Sequence, residues 1–133
     1  MEKKIFIKSF FILFLFLSFL FADAIITEFS ADPDGERIVL QWKTSQEDNV
    51  QKFVVERSND KEHFYPIGSL EARGPGYQYR FVDDRLGKIN GWFYYRLQIV
   101  NKNGNSTYNE PIQANLNISS ISRTWGSIKA LFR

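Results

Sequence analysis

The chain contains one histidine, His63, beside a turn signal, and no cysteine. Metal or general-base chemistry at a histidine needs partners that the fold brings to it. Here no thiolate and no second imidazole can join, so His63 reads as a surface residue. Two oxygen-rich runs, Asp32-x-Asp34-Gly35-Glu36 and Asn101-x-Asn103-Gly104-Asn105, echo the spacing of a calcium loop. Both lack the terminal bidentate glutamate of the full pattern, and ordinary turn chemistry accounts for them. Ser58, Ser69 and the Asp83-Asp84 pair have no nucleophile-elbow context and no base placed beside them. No catalytic, cofactor or metal site is therefore expected. The sequons Asn105-Ser106-Thr107 and Asn117-Ile118-Ser119 would matter only in a eukaryotic host.

Binding chemistry is better represented. Trp92 follows Asn90-Gly91 at the start of an apolar stretch, and Tyr65, Tyr77 and Tyr94 are candidates to face solvent. Aromatic faces stack on sugar rings, which makes Trp92, Tyr94 and Tyr77 candidate ligand-facing residues for a carbohydrate. Half-buried aromatics are also ordinary at the edges of small β-sandwiches.

The elements that must position these residues read as strands. Phe93, Tyr95, Leu97 and Ile99 alternate with Tyr94, Arg96 and Gln98, the period of a strand with one buried face. Asn101-Lys102-Asn103-Gly104 then predicts a tight turn. Six further stretches surround this one. Ile25–Ser30 is a short first strand, followed by a predicted turn at Asp32–Gly35. Arg37–Thr44 places Ile38, Leu40 and Trp42 on one face, with Trp42 the largest candidate for the core centre. Phe53–Ser58 directs Phe53 and Val55 inward. Phe64, Ile67 and Leu70 mark a strand broken by Pro66, which suits a sheet edge because proline cannot donate to a ladder. Tyr77, Tyr79 and Phe81 alternate up to Asp83-Asp84. Tyr108 to Leu116 forms the last strand, with Ile112, Ala114 and Leu116 in phase. Seven strands without a helical period between predict an all-β, antiparallel immunoglobulin-like sandwich; an orderly barrel is the alternative.

The 133 residues divide into three parts. Residues 1–24 combine three lysines, an apolar run Phe10–Phe21 and the small-residue end Ala22-Asp23-Ala24, the plan of a secretory signal peptide with its helical leader. The run is shorter than the ~20 residues a membrane-spanning helix needs. Cleavage after Ala24 leaves about 109 residues, enough for one stable core without metal or disulfide. It removes three lysines against Glu2 and Asp23, so a formal charge of +2 falls to +1. A near-neutral domain without a basic block gives no electrostatic reason to expect nucleic acid. Residues 25–116 form the sandwich and 117–133 a linker and tail.

Several motifs, taken in order, resemble the fibronectin type III domain. They are Ile38-x-Leu40-x-Trp42, Phe53-Val54-Val55-Glu56-Arg57-Ser58, and Tyr94-Tyr95-Arg96-Leu97 leading to Asn103-Gly104. Trp42-Lys43-Thr44, Glu56-Arg57-Ser58-Asn59-Asp60, Phe64-Tyr65-Pro66-Ile67-Gly68 and Tyr94-Tyr95-Arg96-Leu97 are similar, more narrowly, to the version in secreted proteins of Bacteroidetes-type bacteria. The resemblance covers about Ile25 to Leu116 and implies a non-catalytic module, secreted or periplasmic, that mediates protein contacts at the cell envelope. Phe93 stands where the family's corner tyrosine is usual, so that hydroxyl bond is absent or comes from Tyr94 or Tyr95. Arg73-Gly74 is followed by Pro75, which removes an Arg-Gly-Asp adhesion motif.

In the tail, Trp125, Ile128, Leu131 and Phe132 fall within one arc at ~100° per residue, with Lys129 and Arg133 beside it. Thr124 suits an N-cap. A helix this short does not persist alone in water. Its apolar face therefore folds back on the sandwich, docks into a partner protein's groove, or lies on a membrane surface.

Overall fold

The computed structural model describes residues 24–87 and 90–117. The expected leader helix and the amphipathic tail, with Trp125, Ile128, Leu131 and Phe132, lie outside the described residues. Within them the protein is all-β. The strands are β1 (Ile25–Asp34), β2 (Arg37–Gln46), β3 (Val50–Ser58), β4 (Tyr65–Glu71), β5 (Tyr79–Asp83), β6 (Gly91–Asn101), β7 (Ser106–Tyr108) and β8 (Ile112–Leu116). One sheet has the order β1-β2-β5. The other runs β4-β3-β6-β7, with β8 also paired to β6, and every pairing is antiparallel. Among the described residues no ladder joins the two sheets, so the arrangement is a sandwich and not a barrel.

Alternation fixes what each strand buries. Ile38, Leu40, Trp42, Phe53, Val55, Phe93, Tyr95, Leu97 and Ile99 are all buried. Trp42 is fully enclosed; it stacks on Tyr79 with ring centroids 5.2 Å apart and meets the edges of Phe53 and Phe29. Edge-on and offset aromatic contacts of this kind add about 0.5–1.5 kcal/mol per pair beyond area burial. The Trp42 indole nitrogen has no hydrogen-bond partner among the described residues, a cost the surrounding ring contacts offset.

Two elements differ from expectation. The first turn comes later, because Asp32, Pro33 and Asp34 continue β1 opposite Val39, Ile38 and Arg37. The turn is Gly35-Glu36, and Gly35 at φ +67° supplies the positive angle that a two-residue hairpin of type II′ needs first. Pro33 is tolerated there because β1 is an edge strand.

The expected last strand is two strands, giving eight among the described residues. Pro111 has no N–H to offer β6. At the gap Asn109 substitutes for the ladder, its N–H donating to Leu97 O (3.2 Å) and its Oδ1 accepting from Leu97 N (2.7 Å).

Among the described residues the Tyr95 hydroxyl makes no backbone bond of the expected kind. It donates to the Asp83 carboxylate at 2.7 Å.

The edge position of β4 is as Pro66 required. Gly68 has a separate reason: a Cβ there would collide with the Phe81 ring of the opposite sheet. That contact pins β4 against β5 across the side of the sandwich.

Candidate binding surfaces

Polar side chains gather at four places. At one end of the sandwich, Arg57 closes β3 on the same face as Phe53 and Val55, so alternation turns its guanidinium towards the core. Asp83, in phase with Tyr79, faces it from the other sheet. The Arg57 Nη1 lies 2.8 and 2.9 Å from the two Asp83 oxygens, and Tyr95 adds its hydroxyl to Oδ2. Asp83 is 3% exposed. Burial, then the bond to Asp83, pushes the Tyr95 phenol far above its ordinary value. This cluster joins the two sheets. It holds no free acid or base.

Beside it, the 59–62 turn is organised by Asp60. Its Oδ1 accepts from the N–H groups of Glu62 and His63 and from the Ser58 hydroxyl, and its Oδ2 sits 2.6 Å from His63 Nδ1. The His63 and Glu62 bonds hold the Asp60 carboxyl well below the usual carboxylate range, the His63 N–H contributing most. Lys61, at φ +68°, takes the left-handed angle of the turn. His63 is exposed, as expected. Ser58 is buried and spends its oxygen on the N–H groups of Asp60 and Lys61.

At the opposite end, Glu47 fastens the 72–78 loop. Its carboxylate accepts from Thr44 Oγ1 (2.5 Å), from the Tyr79 hydroxyl (2.9 and 3.0 Å) and from Gly74 N (3.0 Å). Arg73 N in turn donates to the Tyr79 hydroxyl at 2.7 Å. Burial, partly opposed by that N–H, pushes the Tyr79 phenol up to about 12.

The outer face of the five-stranded sheet carries the aromatics. Trp92, Tyr94 and Arg96 follow one another on the outward side of β6, opposite Asn115, Gln113 and Glu56 respectively. Arg96 donates to Glu56 at 2.7 Å while its guanidinium lies between the rings of Phe64 (4.2 Å) and Tyr108 (4.0 Å). At these distances the cation is attracted to the face of each ring. On this face Trp92 is 51% exposed, whereas Tyr65, 66% exposed, pairs with Arg57 and lies on the other face beside Asp60 and His63. Tyr77 does not join them. It lies at the Glu47 end, against Tyr79 (4.9 Å) and under Arg73 (5.5 Å).

Along the side, the seam between β4 and β5 opens into two hollows on either side of the Gly68–Phe81 contact. One, of about 420 Å³, is lined by Pro66, Ile67, Val82 and Arg85 among others. The other, of about 370 Å³, is lined by Leu70, Glu71, Tyr79 and Arg80 among others.

No protein-family model matches the chain, and no curated protein matches it. Solved structures do. The chain is similar to part of a pectate lyase from Pectobacterium carotovorum, with 17% identity, 72% of this chain and 27% of that one covered, and a TM-score of 0.53. A pectate lyase from Erwinia chrysanthemi, solved with tetragalacturonic acid, gives 18% identity, 70% and 28% coverage, and a TM-score of 0.50. A β-1,2-glucanase from Parabacteroides distasonis gives 18% identity, 70% and 12% coverage, and a TM-score of 0.49. The chain thus spans 12–28% of the length of these neighbours, and at such identity the likeness is one of fold alone.

Of the ligand-facing aromatics expected from sequence, Trp92 and Tyr94 share a surface and Tyr77 stands apart. The Arg57–Asp83 pair was missed as a unit, although its signal was present. Counting by twos from Phe53 and from Tyr79 places an arginine and an aspartate on core faces, where charge is found paired.

Proposed function

We propose that the protein is an exported, non-catalytic binding module of the fibronectin type III kind that makes protein–protein contacts at the cell envelope. The order β1-β2-β5 against β4-β3-β6-β7/β8 supports the family reading, since it matches that domain's two-sheet plan with the last strand split. One observation carries the functional reading. Large aromatic area is spent outside the core, in Trp92, Tyr65, Tyr77 and Tyr108, each between 44 and 66% exposed, while the buried carboxylates, Glu56 and Asp83, are taken by Arg96 and Arg57. Aromatics and arginine are the residue types enriched at recognition surfaces. The tail, through Trp125, Ile128, Leu131 and Phe132, is a second docking segment.

Capture of native envelope proteins by the intact protein, by Trp92→Ala and by a form lacking residues 123–133 tests this. Loss of partners at unchanged thermal stability, in either variant, supports the reading. Equal capture by all three proteins sinks it, and a truncated form that loses stability instead assigns the tail to the core.

A specific observation favours a second reading, carbohydrate binding. Trp92 pairs with Asn115, and Gln113 pairs with Tyr94 on the same face, so an apolar plate shares its surface with two amides. Tryptophan fluorescence on a glycan panel that includes oligogalacturonate decides. Quenching that disappears in Trp92→Leu favours a sugar ligand, and no quenching excludes it.

A further inference from the structure

β5 is an end strand of its sheet, and β4 is an end strand of the other. The far edge of β5 therefore presents backbone N–H and C=O groups that no ladder uses among the described residues. We infer that this edge accepts an extended segment of a partner protein as an added strand, seated over the seam between β5 and β4. The inference rests on the protein-binding reading and gives it a second, separate surface.

Three features define the guest. Strand addition takes its affinity from main-chain bonds and its selectivity from alternate side chains. Inward-facing guest residues at the two ends of β5 would enter the two hollows, where Pro66, Ile67, Val82 and Leu70 offer apolar lining. The inward residue between them meets the Phe81 ring, which already lies on Gly68, so it must be small. The rim is arginine-rich. Arg73, Arg80 and Arg85 are exposed and have no carboxylate within ion-pair distance among the described residues, whereas Arg57 is taken by Asp83. Glu71 and Asp84 are the opposing charges. Arg80 at the middle of the edge calls for an acidic outward residue in the guest. The pattern is apolar, acidic, small, acidic, apolar. A second copy of this chain does not fit it, because the inward residues of β5 itself are Tyr79, Phe81 and Asp83, none of them small.

The probe is a capped peptide, threonine-valine-glutamate-alanine-glutamate-valine-threonine, titrated into the purified 15N-labelled protein. Amide shifts confined to Tyr79–Asp83 and Tyr65–Glu71 are expected. Methylating alternate peptide nitrogens should weaken binding at least tenfold, and Arg80→Glu about tenfold. No shift in β5 up to the peptide's solubility limit would overturn the inference. So would equal binding of the methylated peptide, shifts centred on Trp92–Gln98, or concentration-dependent shifts in β5 without peptide, which would signify self-pairing. A protein that ignores the peptide yet captures partners through Trp92 loses this edge site and keeps the binding-module reading.

Discussion

Two tyrosine hydroxyls end on carboxylates at opposite ends of the sandwich, and the two ends handle a negative charge held out of bulk water differently. At the Asp83 end the charge is balanced by a cation, Arg57, and the pair joins the sheets. At the Glu47 end the acceptors meet neutral donors only: a threonine, a tyrosine and a glycine N–H. An ion pair buried between sheets is a global element, because removing one member strands the other. A carboxylate gripping a loop is a local one, because loop opening returns it to water. The contrast is open to direct attack.

The largest effect should follow Asp83→Ala. It leaves the Arg57 guanidinium and the buried Tyr95 hydroxyl without a partner, and breaking a buried pair from one side costs about 3–5 kcal/mol. Arg57 retains some exposure, so the lower end, ~3 kcal/mol, is expected from urea unfolding. Converting Arg57, Asp83 and Tyr95 together to Leu, Leu and Phe should recover most of the loss. If Asp83→Ala alone costs under ~1 kcal/mol, the range of an exposed pair, the cluster is not a joint between sheets.

Glu47→Ala comes next, at about 2 kcal/mol for bonds to a charged acceptor. The more telling readout is its distribution. Proteolysis and hydrogen exchange should accelerate at residues 72–78 first, with β2, β3 and β6 still protected. Uniform loss of protection would make this end as global as the other.

How much of this was legible in the sequence divides along the same line. Period-two alternation gave Ile38, Leu40 and Trp42 of β2, Phe53 and Val55 of β3 and the core face of β6, because a strand has only two faces and one must be apolar. Val50, at the start of β3, and Val39, off that phase in β2, are buried too. Pro66 announced an edge and Gly104 (φ +91°) a turn. Strand ends were less visible. Asp32–Asp34 looked like a turn because aspartate and proline favour one, yet pairing with β2 overrode local preference. The loop fastened by Glu47 could not be read at all: Glu47 and Tyr79 lie 32 residues apart, and nothing in one segment marks the other. The aromatic surface was legible in type but not in place. Tyr77 and Trp92 look alike on paper and sit at opposite ends of the molecule.

Single-hydroxyl deletions sharpen the contrast further. Tyr95→Phe removes one bond and Tyr79→Phe two, the bond to Glu47 and the one from Arg73 N, at about 1 kcal/mol each, and they should differ at high pH. An ordinary phenol loses its proton near 10, whereas folded Tyr79 holds it to about 12. Between those values the unfolded chain carries fewer protons than the folded one, so stability falls as pH rises through that window and the contribution is complete below pH 10. Phenolate absorbance should show a step near pH 12 that Tyr79→Phe abolishes. A parent protein whose tyrosines all titrate near 10 would contradict the enclosure of Tyr79.

The smallest effect belongs to Asp60, the more exposed counterpart of Asp83 and Glu47. Its folded value is depressed below the ordinary 3.8 by the His63 and Glu62 N–H groups, so folding favours the ionised form. The stabilisation is present at pH values above 3.8 and fades as pH falls through the folded value. Asp60→Asn should therefore differ slightly from the parent at neutral pH, and the gap should close in acid. Carboxyl carbon shifts in an NMR titration check the cause. A midpoint near 3.8 for Asp60 would mean that water competes successfully for those N–H groups. The 59–62 turn would then be held by Ser58 and by the left-handed angle at Lys61, not by charge.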